Sequence, residues 1–83
     1  MRITVKLYAT LGRYLPPGAQ RNVAELDVAA GSTVSGVIKT LNPPAELVHL
    51  VLVNGVYVAP EDRPDTVLQK GDALAIWPPV AGG

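Results

Sequence analysis

The chain has 83 residues, 48% of them hydrophobic, and its seven basic residues balance seven acidic ones without a run of either sign. This length suits one domain, and one Trp, three Tyr and no Phe predict an aliphatic core. The lack of Cys excludes disulfides and thiolate metal sites, and the single His49 excludes a multi-histidine metal site. Neither nucleic-acid nor membrane binding is indicated, so we expect a cytoplasmic, soluble protein.

The N-terminal third of the chain predicts two strands. Apolar and polar residues alternate over residues 2–9, which is typical of a half-buried strand. The motif LPPG then predicts a turn or loop in residues 11–18. A second alternating run over residues 21–28 predicts another strand. We expect the two strands to pair antiparallel, joined by a loop rather than a tight hairpin.

A short helix is predicted over residues 34–41. Ser32 or Thr33 would cap its start, and Pro43 holds the preceding residue out of helical geometry and ends it. Gly36 in its middle costs about 1 kcal/mol relative to Ala, and we interpret it as a site of close approach to the sheet. The helical spacing places four apolar residues on one face: Val34, Val37, Ile38 and Leu41.

A hairpin is predicted after a PPAE connector that has room for one helical turn. Residues 50–53 form an apolar strand, Asn54-Gly55 is a strong turn signal, and residues 56–58 return as the partner strand.

The C-terminal third predicts a polar loop and a last strand. The loop spans residues 59–66, after which Val67 and Leu68 are expected to insert into the core. The last strand spans residues 73–77 and leads directly into Pro78. One helix on one face of a mixed sheet of about four to five strands predicts an α+β protein of the β-grasp (ubiquitin-like) type.

Several segments spread over nearly the whole chain match one known family: ATLGRYLPPG, AAGSTV, VNG, GDALAI and the final PPVAGG. On these segments the chain resembles the ubiquitin-like sulfur carriers, whose members are the small subunit of molybdopterin synthase and the thiamine sulfur carrier. The tail is more similar to the molybdopterin synthase subunit. The stretch from Thr33 to Asn54 is compact, as in the thiamine carrier.

The resemblance implies a β-grasp domain over residues 1–77 and an extended tail over residues 78–83. In the family, an E1-like adenylating enzyme uses ATP to activate the terminal carboxylate, and sulfur then displaces AMP to leave a thiocarboxylate. The implied attachment site is Gly83, with Gly82 beside it. The chain would bind no cofactor or metal itself. It would be a protein co-substrate, and could be the non-catalytic partner of a molybdopterin synthase large subunit.

The tail residues suit this chemistry. Gly82 and Gly83 have no side chains that would block a narrow channel. Pro78 and Pro79 fix φ at about −65°, so the root of the tail leaves the sheet extended. The residues expected to contact a partner are Trp77, Pro78, Pro79, Val80, Ala81 and Arg13.

Other functions remain open. The sulfur could serve thiamine or another metabolite, or the chain could be a ubiquitin-like modifier attached through Gly83 to lysines of other proteins. A plain β-grasp interaction module with an incidental tail is a third hypothesis, whereas the lack of Cys excludes an iron–sulfur ferredoxin. We interpret His49, the three Tyr and the acidic cluster of residues 61–65 as surface or boundary features rather than as a catalytic or metal site.

Overall fold

The computed structural model describes residues 1–79. Within this range, no helix is long and apolar enough to cross a lipid bilayer. The five strands are β1 (Arg2–Leu7), β2 (Val23–Asp27), β3 (Leu50–Val53), β4 (Val56–Tyr57) and β5 (Ala73–Trp77). The helix α1 spans Val34–Leu41, and short 3₁₀ helices span Ala9–Tyr14, Ala45–Leu47 and Pro60–Asp62.

The strands form one mixed sheet in the order β2-β1-β5-β3-β4. The central pair, β1 and β5, is parallel, and every other neighbouring pair is antiparallel. The antiparallel pairing of β1 with β2 is as predicted, and the connection between them contains the first 3₁₀ helix. With α1 covering one face, this confirms the predicted α+β, β-grasp fold and places β5 in the middle of the sheet.

The core is aliphatic, as the composition predicts. Leu11, on the first 3₁₀ helix, is fully buried and ties the connection after β1 to the core. The other large fully buried side chains come from β1, β3, β5, the helix and one loop: Ile3, Val5, Leu7, Val34, Val51, Leu68, Leu74 and Ile76. Among the described residues, no polar or charged side chain belongs to the buried set.

One of the two predicted loop anchors is wrong. Leu68 is 1% exposed, but Val67 is 48% exposed. Val67 forms an isolated antiparallel bridge with Thr33, so the backbone is extended at this point. Neighbouring side chains of extended backbone point in opposite directions, and only one of the two can enter the core.

The helix has the predicted bounds, but Gly36 has a different role from the one inferred. Thr33 Oγ1 accepts a hydrogen bond from the Gly36 N–H at 3.1 Å, and Asn42 ends the helix with φ 56°. Gly36 is exposed, and an added Cβ would meet Thr33 Oγ1 at 3.3 Å rather than the sheet. The interpretation of close approach to the sheet is therefore wrong, because Gly36 lies about 200° around the helix from the buried Val34.

The β3–β4 turn reverses the chain and also forms side-chain hydrogen bonds to the start of β5. Asn54 and Gly55 both have positive φ, 51° and 83°, as the Asn-Gly signal predicts. The Asn54 side chain also donates to Asp72 Oδ1 at 2.9 Å and accepts from the Ala73 N–H at 2.9 Å. The hairpin is thereby bonded to the first residue of β5.

Candidate functional site

The root of the tail lies at the end of the central strand. β5 ends at Trp77, which is half-buried; Pro78 comes next and is half-buried, and Pro79 is exposed. These three predicted partner-binding residues are therefore consecutive at one end of the sheet. The other predicted tail residues, Val80, Ala81, Gly82 and Gly83, lie outside the described residues.

On the β1 side, Trp77 is held by an aromatic stack. Its ring lies on Tyr8 with ring centroids 4.2 Å apart and an interplanar angle of 4°. The Tyr8 N–H donates to the Ile76 carbonyl at 3.0 Å, which continues the parallel pairing of β1 with β5 past the end of β1. An aromatic pair of this kind contributes about 0.5–1.5 kcal/mol beyond its buried area. Tyr8 therefore fixes the plane of the Trp77 indole, and Trp77 is the residue that precedes the tail.

On the β3 side, the last backbone bond before the tail is made by His49. Its N–H donates to the Trp77 carbonyl at 3.1 Å, next to the pairing of Leu50 with Trp77. Pro78 and Pro79 have no N–H and cannot continue the ladder. The end of β5, after which the tail begins, is consequently held by two neighbours of Trp77, Tyr8 and His49.

An apolar surface extends from the tail root over β5, β3 and β4, on the side of the sheet that α1 does not cover. In β5, Leu74 and Ile76 point into the core, so Ala75 and Trp77 point to the other side. The pairing of Leu52 with both Ala75 and Tyr57 extends this surface to β4. We call it the open face, and its members are Tyr8, Leu50, Leu52, Tyr57, Ala75 and Trp77. All six are half-buried except Tyr57, which is 56% exposed.

Arg13 lies on the 3₁₀ helix Ala9–Tyr14, which contacts both β1 and β5. Its side chain is exposed in the last turn of that helix. The structure therefore places a cation on the segment after Tyr8, and its contact with a partner stays a prediction.

The backbone after Tyr8 is held in a strained conformation. Ala9 has φ 52°, a left-handed value that costs a non-glycine residue about 1–2 kcal/mol. The Asn22 side-chain amide donates to the Leu7 carbonyl at 2.6 Å and to the Ala9 carbonyl at 3.1 Å. Gly12 leaves the space for this amide, because an added Cβ would lie 2.6 Å from Asn22 Nδ2.

Within residues 1–79, the one salt bridge lies away from this site. Arg2 and Asp27 approach to 3.3 Å across β1 and β2, and both side chains are exposed. The hydrogen bond from Arg2, and secondly its charge, lower the pKa of Asp27 below its usual value. Arg2 opens β1 whereas Tyr8 comes after its end, so this pair lies at the opposite end of the strand from the tail root.

Comparison with known proteins then decides the family. A family model described as the ThiS family matches residues 15–83. The chain belongs to the ThiS family. This confirms the resemblance to the ubiquitin-like sulfur carriers that the sequence segments carried. A comparison with curated protein sequences finds no significant match.

Solved structures similar to this ThiS-family chain have the same fold. Small archaeal modifier protein SAMP1 from Haloferax volcanii is 24% identical, with a TM-score of 0.70 and full coverage (100%) of both chains. Thiamine biosynthesis protein ThiS from Geobacter metallireducens is also 24% identical, with a TM-score of 0.68 and 100% coverage of both chains. One chain of the complex of subunits 1 and 2 of the molybdopterin-converting factor from Helicobacter pylori is 18% identical, with a TM-score of 0.62 and 100% coverage of both chains.

Sequence reasoning locates the tail root of this ThiS-family protein but misses the residues that hold it. It selects Trp77 as the one large aromatic side chain near the tail. It assigns Tyr8 and His49 to the boundary or the surface, and the His49 side chain is indeed exposed. A signal for Tyr8 exists, since it continues the outward positions of the alternating run in β1. That signal becomes usable only once β1 and β5 are known to be neighbours.

Proposed function

We propose that this ThiS-family protein carries sulfur for molybdopterin (molybdenum or tungsten cofactor) biosynthesis on a C-terminal thiocarboxylate at Gly83. The observation that supports this most is the position of Trp77, Pro78 and Pro79. They continue the central strand directly into a segment that ends in Gly-Gly, beside the apolar open face. Delivery of a terminal carboxylate into another protein requires a rigid root, a stiff proline pair and a tip without side chains.

The proposed chemistry takes place in partner proteins. In an E1-like enzyme the Gly83 carboxylate attacks the α-phosphate of ATP, forming an acyl-adenylate and releasing pyrophosphate. A sulfide equivalent then attacks the acyl carbon, and AMP leaves with the electron pair of the broken C–O bond. The thiocarboxylate that remains donates its sulfur in the active site of an acceptor such as a molybdopterin synthase large subunit.

In this scheme the chain is a co-substrate rather than a catalyst, as is general for small ThiS-like carriers. Tyr8 and His49 hold Trp77, the prolines extend the chain, and Val80 and Ala81 contact the walls of the partner's channel. The open face supplies an apolar docking surface of the kind that protein partners cover. Positioning of this sort contributes to rate by holding the carboxylate in an attack geometry.

The alternatives differ in the product that receives the sulfur. The PPVAGG tail favours molybdopterin, and a relative of this fold forms the two-subunit complex of a molybdopterin-converting factor. The ThiS family match and the compact stretch from Thr33 to Asn54 favour thiamine or another metabolite as the alternative. The similarity to SAMP1, a modifier protein, keeps conjugation through Gly83 to other proteins as a further alternative.

The first experiment is intact-mass measurement after incubation with the host's E1-like enzyme, ATP and a sulfide donor. We expect a gain equal to the mass difference between sulfur and oxygen. A variant lacking Gly83, and a variant with one extra residue after it, should show no gain while keeping the fold. Sulfur uptake by either variant would contradict the assignment to Gly83.

A second experiment separates the products. The thiocarboxylate form is offered to a molybdopterin synthase large subunit with its sulfur-free precursor, and in parallel to a thiazole-forming enzyme. Formation of dithiolene product in the first reaction supports the proposal, and sulfur consumption only in the second supports the thiamine alternative. Covalent conjugates on a denaturing gel, formed without free thiocarboxylate, would indicate a modifier.

A further inference from the structure

An arginine from a distant loop is bonded to the backbone beside the tail root. Arg63 comes directly after the 3₁₀ helix Pro60–Asp62, and its Nη2 donates to the His49 carbonyl at 3.3 Å. The N–H of the same His49 donates to the Trp77 carbonyl at 3.1 Å. The guanidinium is therefore separated from the last residue of β5 by a single residue.

The burial of this arginine is unfavourable for stability alone. The side chain is half-buried, and its Nε is fully buried without a hydrogen-bond partner among the described residues. A buried donor without an acceptor opposes folding, and an apolar side chain of similar shape avoids that cost. Within residues 1–79, the guanidinium at residue 63 thus combines an unpaired Nε–H with a hydrogen bond to the His49 carbonyl.

The loop that carries Arg63 is held independently of the side chain. The Arg63 carbonyl accepts from the Ser35 N–H at 3.1 Å, in the first turn of α1. The Thr66 carbonyl accepts from the Val34 N–H at 3.0 Å. Because these bonds are made by the backbone, the loop keeps its place when the side chain is changed, and the guanidinium is presented to His49 from a fixed base.

Among residues 1–79, few other groups restrain the tail root on this side. His49 precedes β3, and beyond its bond to Trp77 the two prolines offer no N–H for a further rung. Fixing the His49 carbonyl restrains rotation of the segment that makes this last bond. The Arg63 bond therefore restrains the residue pair His49 and Trp77. A small rotation there would change the direction of the stiff Pro78-Pro79 segment.

We propose that Arg63 is a positioning residue that acts through His49 on Trp77 and sets the direction in which the C-terminal tail leaves the sheet. Its importance for sulfur delivery rests on the function proposed above, but its effect on the tail root is a property of the chain by itself. The two can therefore be tested separately.

The first test uses the protein alone and the variant Arg63→Met. Loss of one hydrogen bond should speed amide exchange at His49 roughly 2- to 10-fold. Trp77 is the only Trp, so its fluorescence reports the root directly, and we expect stronger quenching by acrylamide. The melting temperature should be unchanged or higher, because the orphaned Nε–H is removed. Arg63→Lys, which keeps the charge, should restore part of the protection at His49.

Lys39→Met is the matched control. Lys39 lines the same cleft of about 300 Å³ as Arg63, is exposed, and has no bond to His49 among the described residues. It should leave His49 exchange and Trp77 quenching at wild-type values. Unchanged exchange and quenching in Arg63→Met would overturn the proposal. So would a fall in melting temperature with faster exchange throughout the chain, which is the result of a merely structural role.

The second test measures adenylation by the E1-like enzyme as a function of carrier concentration. Since the docking surface is intact, Arg63→Met should keep its KM while kcat falls several-fold through loss of attack geometry. A higher KM at unchanged kcat would contradict positioning and indicate direct contact with the enzyme. If the wild-type chain itself gains no sulfur, the proposed function fails, while the exchange and quenching results still decide the role of Arg63.

Discussion

At the scale of single residues, a glycine in the loop after β1 leaves the space that two side-chain hydrogen bonds require. Gly12 leaves room for the Asn22 amide, which bridges the Leu7 and Ala9 carbonyls. These bonds hold Ala9 in a left-handed conformation directly after Tyr8. The position of Tyr8 against Trp77 thus depends on a glycine that makes no contact with either ring.

We predict that Gly12→Ala destabilises the protein by about 1–3 kcal/mol, because the new Cβ would lie 2.6 Å from Asn22 Nδ2 and displace it. Urea unfolding measures the change. Gly36→Ala is the control, since its Cβ would meet only Thr33 Oγ1 at 3.3 Å on an exposed helix surface. We expect it to change stability by less than about 1 kcal/mol. Equal losses in the two variants would contradict the steric explanation.

A second prediction at this scale concerns the aromatic stack at the tail root. Tyr8→Ala removes the ring that lies 4.2 Å from Trp77 and should cost about 2–4 kcal/mol of unfolding free energy, from lost burial and stacking together. Tyr8→Phe keeps the ring and should remain within about 1 kcal/mol of the wild type. Thermal unfolding monitored by Trp77 fluorescence checks both. A large loss in Tyr8→Phe would indicate that the hydroxyl, rather than the ring, carries the effect.

At the scale of elements, β5 is held at both of its ends by residues from other parts of the chain. Its start is bonded to the Asn54 side chain, and its end to the His49 backbone and the Tyr8 ring. The strand that leads into the tail is therefore fixed along its whole length. This arrangement suits the proposed role of β5, which is to present the C-terminal tail.

We predict that Asn54→Gly destabilises the protein by about 1–3 kcal/mol, although Gly accepts the positive φ of this position. The reason is the loss of the bonds to Asp72 and to the Ala73 N–H. Asn42→Gly is the control, because Asn42 also has positive φ and its side chain makes no hydrogen bond within residues 1–79. It should be nearly neutral by chemical denaturation. Comparable losses of stability in the two variants would show that the contribution of Asn54 comes from its backbone conformation alone.

At the scale of the whole molecule, the two faces of the sheet differ in burial. One face packs under α1 and forms the core, and the open face leaves aromatic and aliphatic side chains accessible next to the tail root. Because Trp77 belongs both to the tail root and to this face, a partner that takes the tail can cover the face as well. The open face would then provide affinity for the partner, and the tail would provide the reactive carboxylate.

Two neighbouring residues of β4 allow this division to be tested. Tyr57 belongs to the open face and is 56% exposed, whereas Val56 points to the other side and is 67% exposed. We predict that Tyr57→Ser weakens binding of the E1-like enzyme by about tenfold, as for a residue inside an interface, and that Val56→Ser leaves it unchanged. Titration calorimetry measures both. If the Tyr57→Ser and Val56→Ser variants bind the enzyme with equal affinity, the enzyme does not contact the open face at Tyr57.

The sequence by itself determined the main helix, the strands and the family, but not the 3₁₀ helix Ala9–Tyr14. Helical spacing, a cap at Ser32 or Thr33 and the Pro43 signal predicted α1 with its observed bounds, and the last strand was predicted as Ala73–Trp77. These signals are local, because helix and strand periodicity and capping act between residues a few positions apart. The tail motif PPVAGG was also readable directly, because its chemistry depends on residue type and order.

Only the tertiary structure decided which residues hold the tail root. The parallel pairing of β1 with β5 joins the two ends of the chain and brings Tyr8 onto Trp77. The loop after β4 brings Arg63 to His49 in the same way. Such contacts leave no periodic signal, because they depend on strand order and on where a loop crosses the sheet. The same reason explains Val67, whose side was fixed by a bridge to Thr33 and not by its own hydrophobicity.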